Sequence, residues 1–203
     1  MPMILRSTSS SPFVRKVRIA IRLLKLESEI VECQADVTDP ADTLATQNPL
    51  GKIPTLLLED GTAIFDSRVI LEYLDHIAGE GQIIPRRPEA RFEALRLQAL
   101  CDGILDASVA IVHEGRFRPP EMRVQTWVDR QQGKITRALD TLEAAPPVIN
   151  ATPDVGQIAL ACALGYGDLR FNGAWRKGHP KLVNWQDSFA ASVPAFAATK
   201  ATT

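Results

Sequence analysis

The chain opens on a short apolar run, Met3 to Leu5, which gives way to Arg6-Ser7-Thr8-Ser9-Ser10-Ser11-Pro12, so a strand is expected to enter a hydroxyl-rich loop there. From Phe13 onward, Val14, Val17, Ile21 and Leu24 recur at spacings of three and four, and Arg15, Arg18, Arg22 and Lys25 follow one residue later. This spacing predicts an amphipathic helix whose basic stripe is either an anion or membrane surface or, as the nearly neutral chain favours, a solvated face. Glu29 to Ala35 reads as a second strand, and Asp39-Pro40-Ala41-Asp42 opens a short helix that Asn48-Pro49 ends. Two β-prone runs, Thr55 to Glu59 and Thr62 to Phe65, flank Asp60-Gly61, the turn chemistry of a hairpin. Asp66-Ser67 then precedes Val69, Ile70, Tyr73, Leu74 and Ile77, whose spacing marks another helix. The order is βαβαββα. A crossover helix makes the first two strands parallel and the hairpin adds an antiparallel edge, so an α/β domain with a mixed sheet follows.

The stretch from Gly79 to Pro88 is rich in Gly, Pro and charge, which places a boundary between a first domain, residues 1–80, and a second, residues 88–203. No strand pattern follows it. Glu89 to Gly115, Glu121 to Ala144, Asp154 to Leu164 and Leu182 to Ser192 read as helices, so the second domain is expected to be all α. Asp154-Val155-Gly156-Gln157 has the form of a capping box, with Asp154 accepting from the backbone and Gln157 reaching back.

Composition narrows the function. Of 203 residues, 23 are basic and 24 acidic, which leaves no global field to draw in nucleic acid or an anionic membrane. The N-terminus lacks the apolar region of a secretory signal, and the uncharged run Val155 to Gly167 is shorter than the roughly 20 residues a membrane span needs. A cytoplasmic protein is expected. Cys33, Cys101 and Cys162 form no C-x-x-C pair, so they are expected to be buried or idle thiols, with no metal site. Nucleotide-binding glycine motifs, H-E-x-x-H and G-x-S-x-G are missing, and His76, His113 and His179 lie far apart without ligand or triad spacing.

Three short pieces remain, each with two readings. Ser11-Pro12-Phe13 suits a helix start, where Ser11 either caps the helix or turns a hydroxyl towards a thiol that the helix amides help ionise. Ile53-Pro54 enters a strand. It is either an ordinary trans proline or a cis bond that leaves the Ile53 N–H and C=O to pair with an extended peptide. Asp66-Ser67 is either an acidic capping pair or a seat for a head group carrying both a carboxylate and an ammonium.

Together these pieces resemble the glutathione S-transferases, and the similarity covers nearly the whole chain. Asn48-Pro49-Leu50-Gly51-Lys52-Ile53-Pro54 and Asp66-Ser67-Arg68-Val69-Ile70-Leu71-Glu72-Tyr73-Leu74 carry it most specifically. One departure is visible: the family usually has an acidic residue where this chain has Gln157. The resemblance implies a thioredoxin-like domain binding glutathione as co-substrate without a metal, a helical domain supplying an apolar electrophile pocket, and a homodimer. It further implies a cytoplasmic detoxification enzyme of the bacterial serine type. Ser11, next to Phe13, would stabilise the glutathione thiolate, with Ser9 and Ser10 as rivals. Ile53, ahead of Pro54, would pair with the cysteinyl backbone, Lys52 with the glycyl end, and Ser67, helped by Asp66, with the γ-glutamyl carboxylate. Serine favours thiolate stabilisation over mixed-disulfide chemistry, hence conjugation. His113, Arg116, Phe117, Phe171 and Trp175 are the expected contributors to the electrophile pocket. The alternatives are a glutathione-dependent isomerase, dehalogenase or disulfide reductase on the same scaffold, and a non-catalytic carrier or interaction module.

Overall fold

The structure, a computed structural model, describes residues 2–201. Strands β1 (Met3–Ser7), β2 (Ile30–Gln34), β3 (Thr55–Leu57) and β4 (Ala63–Ile64) form one sheet in the order β2-β1-β3-β4. β1 and β2 run parallel, with Met3 opposite Ile30. β3 is antiparallel to both its neighbours, with Arg6 opposite Thr55 and Leu56 opposite Ile64. Helices α1 (Pro12–Leu23), α2 (Leu44–Gln47) and α3 (Ser67–Ile77) complete the expected βαβαββα order.

The chain divides into two compact units. The first runs up to Arg91 and resumes at Pro194, and the second is Phe92–Val193. In the first, α1 packs against α3. Val14, Val17 and Ala20 of α1 and Ile70, Leu71 and Leu74 of α3 are fully buried, each large side chain stabilising the unit by about 1.5–3 kcal/mol. Beyond α3 the chain folds back on itself. The buried Asp75 carboxylate accepts from the amides of Gly81, Gln82 and Ile83 at 2.7–2.8 Å.

The basic stripe of α1 is not a solvated face. Arg15 is only 7% exposed and its neighbour Lys16 is fully buried. The cause is a short helix, α8 (Pro194–Ala198), which the sequence pattern does not announce. The Arg15 guanidinium donates to the Phe196 carbonyl at 2.8 Å and lies 4.1 Å above the Phe196 ring, so it is both hydrogen-bonded and stacked. Arg18 pairs with Glu32. Arg22 and Lys25 alone of the four basic residues are exposed. Cys33, on the edge strand β2, is exposed as well, so the three thiols are not all buried.

The second unit is helical, built from most of α4 (Pro88–Phe117) and from α5 (Gln125–Ala144), α6 (Val155–Phe171) and α7 (Pro180–Ser192). Every residue of α6 from Val155 to Leu164 is buried, as a helix apolar on all sides requires. Asp154 caps it, accepting from the amides of Gly156 and Gln157 at 2.9 and 3.0 Å. Gln157 does not reach back to the cap. Its side chain is taken by the preceding loop, where it donates to the Val148 carbonyl and accepts from the Asn150 amide. α6 also continues past Leu164 to Phe171, and within that extension Asp168 accepts from Trp175 and Arg176. α5 begins at Gln125 rather than Glu121, since Pro120–Met122 form a single 3-10 turn. Among the described residues no helix is long and apolar enough to cross a membrane.

Candidate active site

Sheet register brings the three sequence pieces to one place. Extending the β1–β3 pairing past Arg6 and Thr55 sets residues 7 and 8 level with 54 and 53. Extending the β3–β4 pairing past Leu56 and Ile64 sets residues 66 and 67 level with the same two. The loop before α1, the entry to β3 and the start of α3 therefore share one end of the sheet.

Ser11 is the N-cap of α1, with extended backbone (φ −76°, ψ 123°) and Pro12 as the first helical residue. Its Oγ accepts the Val14 amide at 3.3 Å, which leaves the hydroxyl hydrogen free to donate elsewhere. Ser9 is exposed, Ser10 and Ser11 are half-buried, and of the three Ser11 alone caps the helix. Phe13 is half-buried, with the Lys16 ammonium 5.2 Å from its ring. The segment over residues 36–47 is tied to β1 by the buried Arg6, which donates to Asp42, Thr43 and Gln47 at 2.6, 3.0 and 2.7 Å. The amides of Asp36 and Leu44, together with Arg6, hold the Asp42 carboxyl below its ordinary range.

The Ile53-Pro54 bond is cis. The loop around it is organised by a residue that sequence reasoning used only to end the preceding helix. Asn48, only 1% exposed, donates from Nδ2 to the Lys52 carbonyl at 2.9 Å and to Thr55 Oγ1 at 3.1 Å, and accepts the Leu50 amide at 3.0 Å. Thr55 Oγ1 in turn donates to the Lys52 carbonyl at 2.9 Å. Gly51 makes the turn at φ +58°, where a side chain would be strained. These bonds use the Lys52 carbonyl and leave its ammonium exposed. Among the described residues no intramolecular hydrogen bond engages the Ile53 N–H or C=O. The signal for Asn48 lay in the quoted stretch itself: a short amide side chain ahead of Pro and Gly suits a side-chain-to-backbone turn.

Asp66 follows a second cis bond, Phe65-Asp66, and caps α3 by accepting the Arg68 amide at 3.0 Å. Ser67, the first residue of α3, is 2% exposed, and among the described residues its hydroxyl has no hydrogen-bond partner. A hydroxyl in that position at a helix start can donate to an anionic acceptor.

The five residues expected around an electrophile separate into two groups within the helical unit. His113 meets the Phe117 ring edge to face at 5.2 Å, with the Arg116 guanidinium 5.3 Å from the same ring. Burial, and then the Arg116 charge, lower the His113 pKa. Phe171 and Trp175 instead line a separate cavity between α4, α5 and α6. Of the other histidines, His76 is exposed beside Glu80, and His179 is held between the Trp175 carbonyl and Asp140. Among the described residues no group of three or more His, Cys, Asp or Glu side chains is placed to hold a metal ion.

A small mixed sheet with thioredoxin-like features, followed by a helical domain, defines a class of two-domain protein. Family models agree on its kind: "Glutathione S-transferase, N-terminal domain" matches residues 10–77 and "Glutathione S-transferase, C-terminal domain" matches residues 125–187. An uncharacterized GST-like protein, YibF of Escherichia coli K12, is 34% identical over 196 residues, which is 91% of this chain and 95% of that one. A glutathione transferase family member from Pseudomonas fluorescens Pf-5, solved with bound glutathione, is 37% identical with a TM-score of 0.90 over 99% of this chain and all of that one. A structure of a Pf-5 family member with bound S-(propanoic acid)-glutathione matches at a TM-score of 0.85 and 37% identity over 98% of this chain and all of that one. The chain belongs to the glutathione S-transferase family.

Proposed function

We propose that this chain is a glutathione transferase of the serine type, a cytoplasmic, homodimeric enzyme of detoxification. It joins the glutathione sulfur to a small apolar electrophile. The observation that carries this reading is the convergence at one sheet end of three groups able to bond a ligand: the Ser11 hydroxyl hydrogen at a helix N-terminus, the Ile53 main chain, and the Ser67 hydroxyl. Each matches one part of the tripeptide. Ser11 donates to the sulfur, and the α1 amides add positive potential beside it. Ile53, before Pro54, pairs with the cysteinyl main chain as a short antiparallel ladder. Ser67 and Asp66 take the γ-glutamyl carboxylate and ammonium, Lys52 reaches the glycyl carboxylate, and Phe13 packs beside the thiol. In the reaction the thiol proton leaves to solvent, the sulfur electron pair attacks the electrophilic carbon to form the S–C bond, and the bond from that carbon to its leaving group breaks, the leaving group departing as an anion with the bonding pair.

Residues 1–80 supply the glutathione seat, and residues 88–203 the electrophile contacts. The relative with S-(propanoic acid)-glutathione supports conjugation over thiol transfer, since that ligand carries carbon on its sulfur. For the homodimer, the outer face of α3 offers an exposed Val69 next to the Glu72–Arg91 ion pair. Sedimentation is expected to give twice the chain mass.

The decisive experiment is an ultraviolet difference spectrum of the glutathione complex at neutral pH. Thiolate absorbance is expected from the wild type, reflecting a thiol pKa lowered by about two units, or about 2.7 kcal/mol. Ser11→Ala is expected to abolish it and to lower kcat/KM about a hundredfold. Full thiolate absorbance in the Ser11→Ala protein would leave Ser11 as a cap and nothing more.

A further inference from the structure

Strand register lines up one row of side chains across the sheet. Ile4 lies opposite Val31 on one side and Leu57 on the other, and Leu57 lies opposite Ala63, so the row crosses all four strands. The two faces of the sheet differ. Leu5 and Leu56, on the other face, are 1% and 0% exposed, whereas Ile4 is 37% and Val31 52% exposed. The segment over residues 36–47 is fastened at Arg6, one row further along, and leaves this apolar row open.

The row runs out at an unpaired edge. β2 is the terminal strand, and Val31, Glu32, Cys33 and Gln34 are all exposed. Its ladder to β1 starts at the Glu29 carbonyl, which accepts the Met3 amide at 2.9 Å, and finishes at the Ala35 amide, which donates to the Ser7 carbonyl at 2.9 Å. In a parallel pair alternate residues carry these bonds, so the N–H and C=O of Ile30 and Glu32 and the N–H of Gln34 turn outward.

Charge sets the kind of partner. Residues 26–67 hold nine carboxylates and a single cation, Lys52, in a chain whose totals nearly balance. Of the nine, Glu32 pairs with Arg18 and Asp42 with Arg6. Glu27 and Glu29 precede β2 and Asp36 and Asp39 follow it, so carboxylates flank the strand at both ends. Among the described residues Glu27 and Glu29 have no ion-pair partner. Such an edge repels an anionic surface, and a second copy of β2 would set carboxylates against carboxylates.

We propose that the outer edge of β2 accepts an extended cationic segment of another protein as a fifth strand. The main chain of that segment pairs with Ile30, Glu32 and Gln34, an apolar side chain prolongs the row from Val31, and its lysines or arginines meet the carboxylates flanking β2. β1 lies between β2 and β3, so this edge is distinct from the main chain that Ile53 offers.

The test is fluorescence anisotropy of a labelled, end-capped seven-residue peptide alternating lysine and valine, titrated with the full-length chain. Saturable binding is expected, unchanged by saturating glutathione and weakened about tenfold when salt is raised to about 0.5 M. The same peptide with glutamate in place of lysine is expected not to bind. N-methylation of every interior residue keeps the peptide's charge but removes its donors, and is expected to weaken binding about tenfold or more. Val31→Lys sets a cation in the row, and Gln34→Pro deletes an outward amide that makes no bond to β1. Each is expected to weaken the lysine peptide about tenfold and to leave the thiolate spectrum of the glutathione complex unchanged. The proposal is overturned if the lysine peptide shows no saturable binding, if the glutamate peptide binds equally well, if glutathione displaces the lysine peptide, or if neither methylation nor either variant changes the affinity. The methylated peptide is read on the unaltered chain, so the outcome does not depend on either variant folding.

Discussion

In the first unit, the segment from Asn48 to Thr55 is fixed by one buried amide that satisfies two acceptors and one donor. In the second, α6 is fixed against α4 by a missing side chain: a Cβ on Gly156 would lie 2.7 Å from the Ala94 carbonyl and 2.8 Å from Leu97 Cβ. Polar bonds shape backbone while leaving selected groups unpaired, as at Ile53. Close steric packing against α4 instead fixes α6 by shape alone.

The contrast can be broken by mutation. Asn48→Ala has the largest expected effect, about 2–4 kcal/mol, because the Lys52 carbonyl and the buried Thr55 hydroxyl lose a donor and the Leu50 amide loses its acceptor. Thermal unfolding reads the loss, and isothermal titration is expected to show glutathione affinity falling with it. Gly156→Ala is expected to destabilise by about 1–3 kcal/mol through overpacking, with glutathione affinity in the surviving fold unchanged. If Gly156→Ala weakens glutathione as much as Asn48→Ala does, the distinction between the two units fails. Ser11→Ala comes next in stability, at about 1 kcal/mol for a lost cap, far less than its effect on catalysis.

Asp154→Asn sharpens the comparison with the smallest effect, under about 0.5 kcal/mol, because Asn caps as well as Asp. Its signature lies in pH. Burial raises the Asp154 carboxyl above its ordinary value, overcoming the Gln157 and Gly156 amides. The folded chain therefore holds that proton more tightly than the unfolded chain. The resulting stabilisation is present below the ordinary carboxylate pKa and is lost as pH rises through the raised folded value. Denaturant titrations across that window are expected to show the decline in the wild type and not in Asp154→Asn.

The alternation of short strands and helices over residues 3–77 was readable because each element's pattern is local: Val14, Val17 and Ile21 mark α1, and Asp60-Gly61 marks the hairpin. What could not be read was set by distant partners. Arg15 is buried by a residue 181 positions away, and nothing in a basic stripe distinguishes a guanidinium stacked on Phe196 from one in water. Gln157 has the right type and spacing for a capping box, yet the loop ahead of it supplies a better use for its amide. The serine, proline and Asp-Ser pieces could be named from sequence because they lie at element boundaries. That they meet at one sheet end follows from register, which no single segment encodes.

The first unit is discontinuous, since the helix that covers Arg15 is supplied only by the segment beginning at Pro194. On a translating ribosome, α1 can pair with α3 long before that segment leaves the exit tunnel. Until then the Arg15 guanidinium waits without the carbonyl it later serves. Completion of the domain made first is thereby deferred until the whole helical unit has been synthesised.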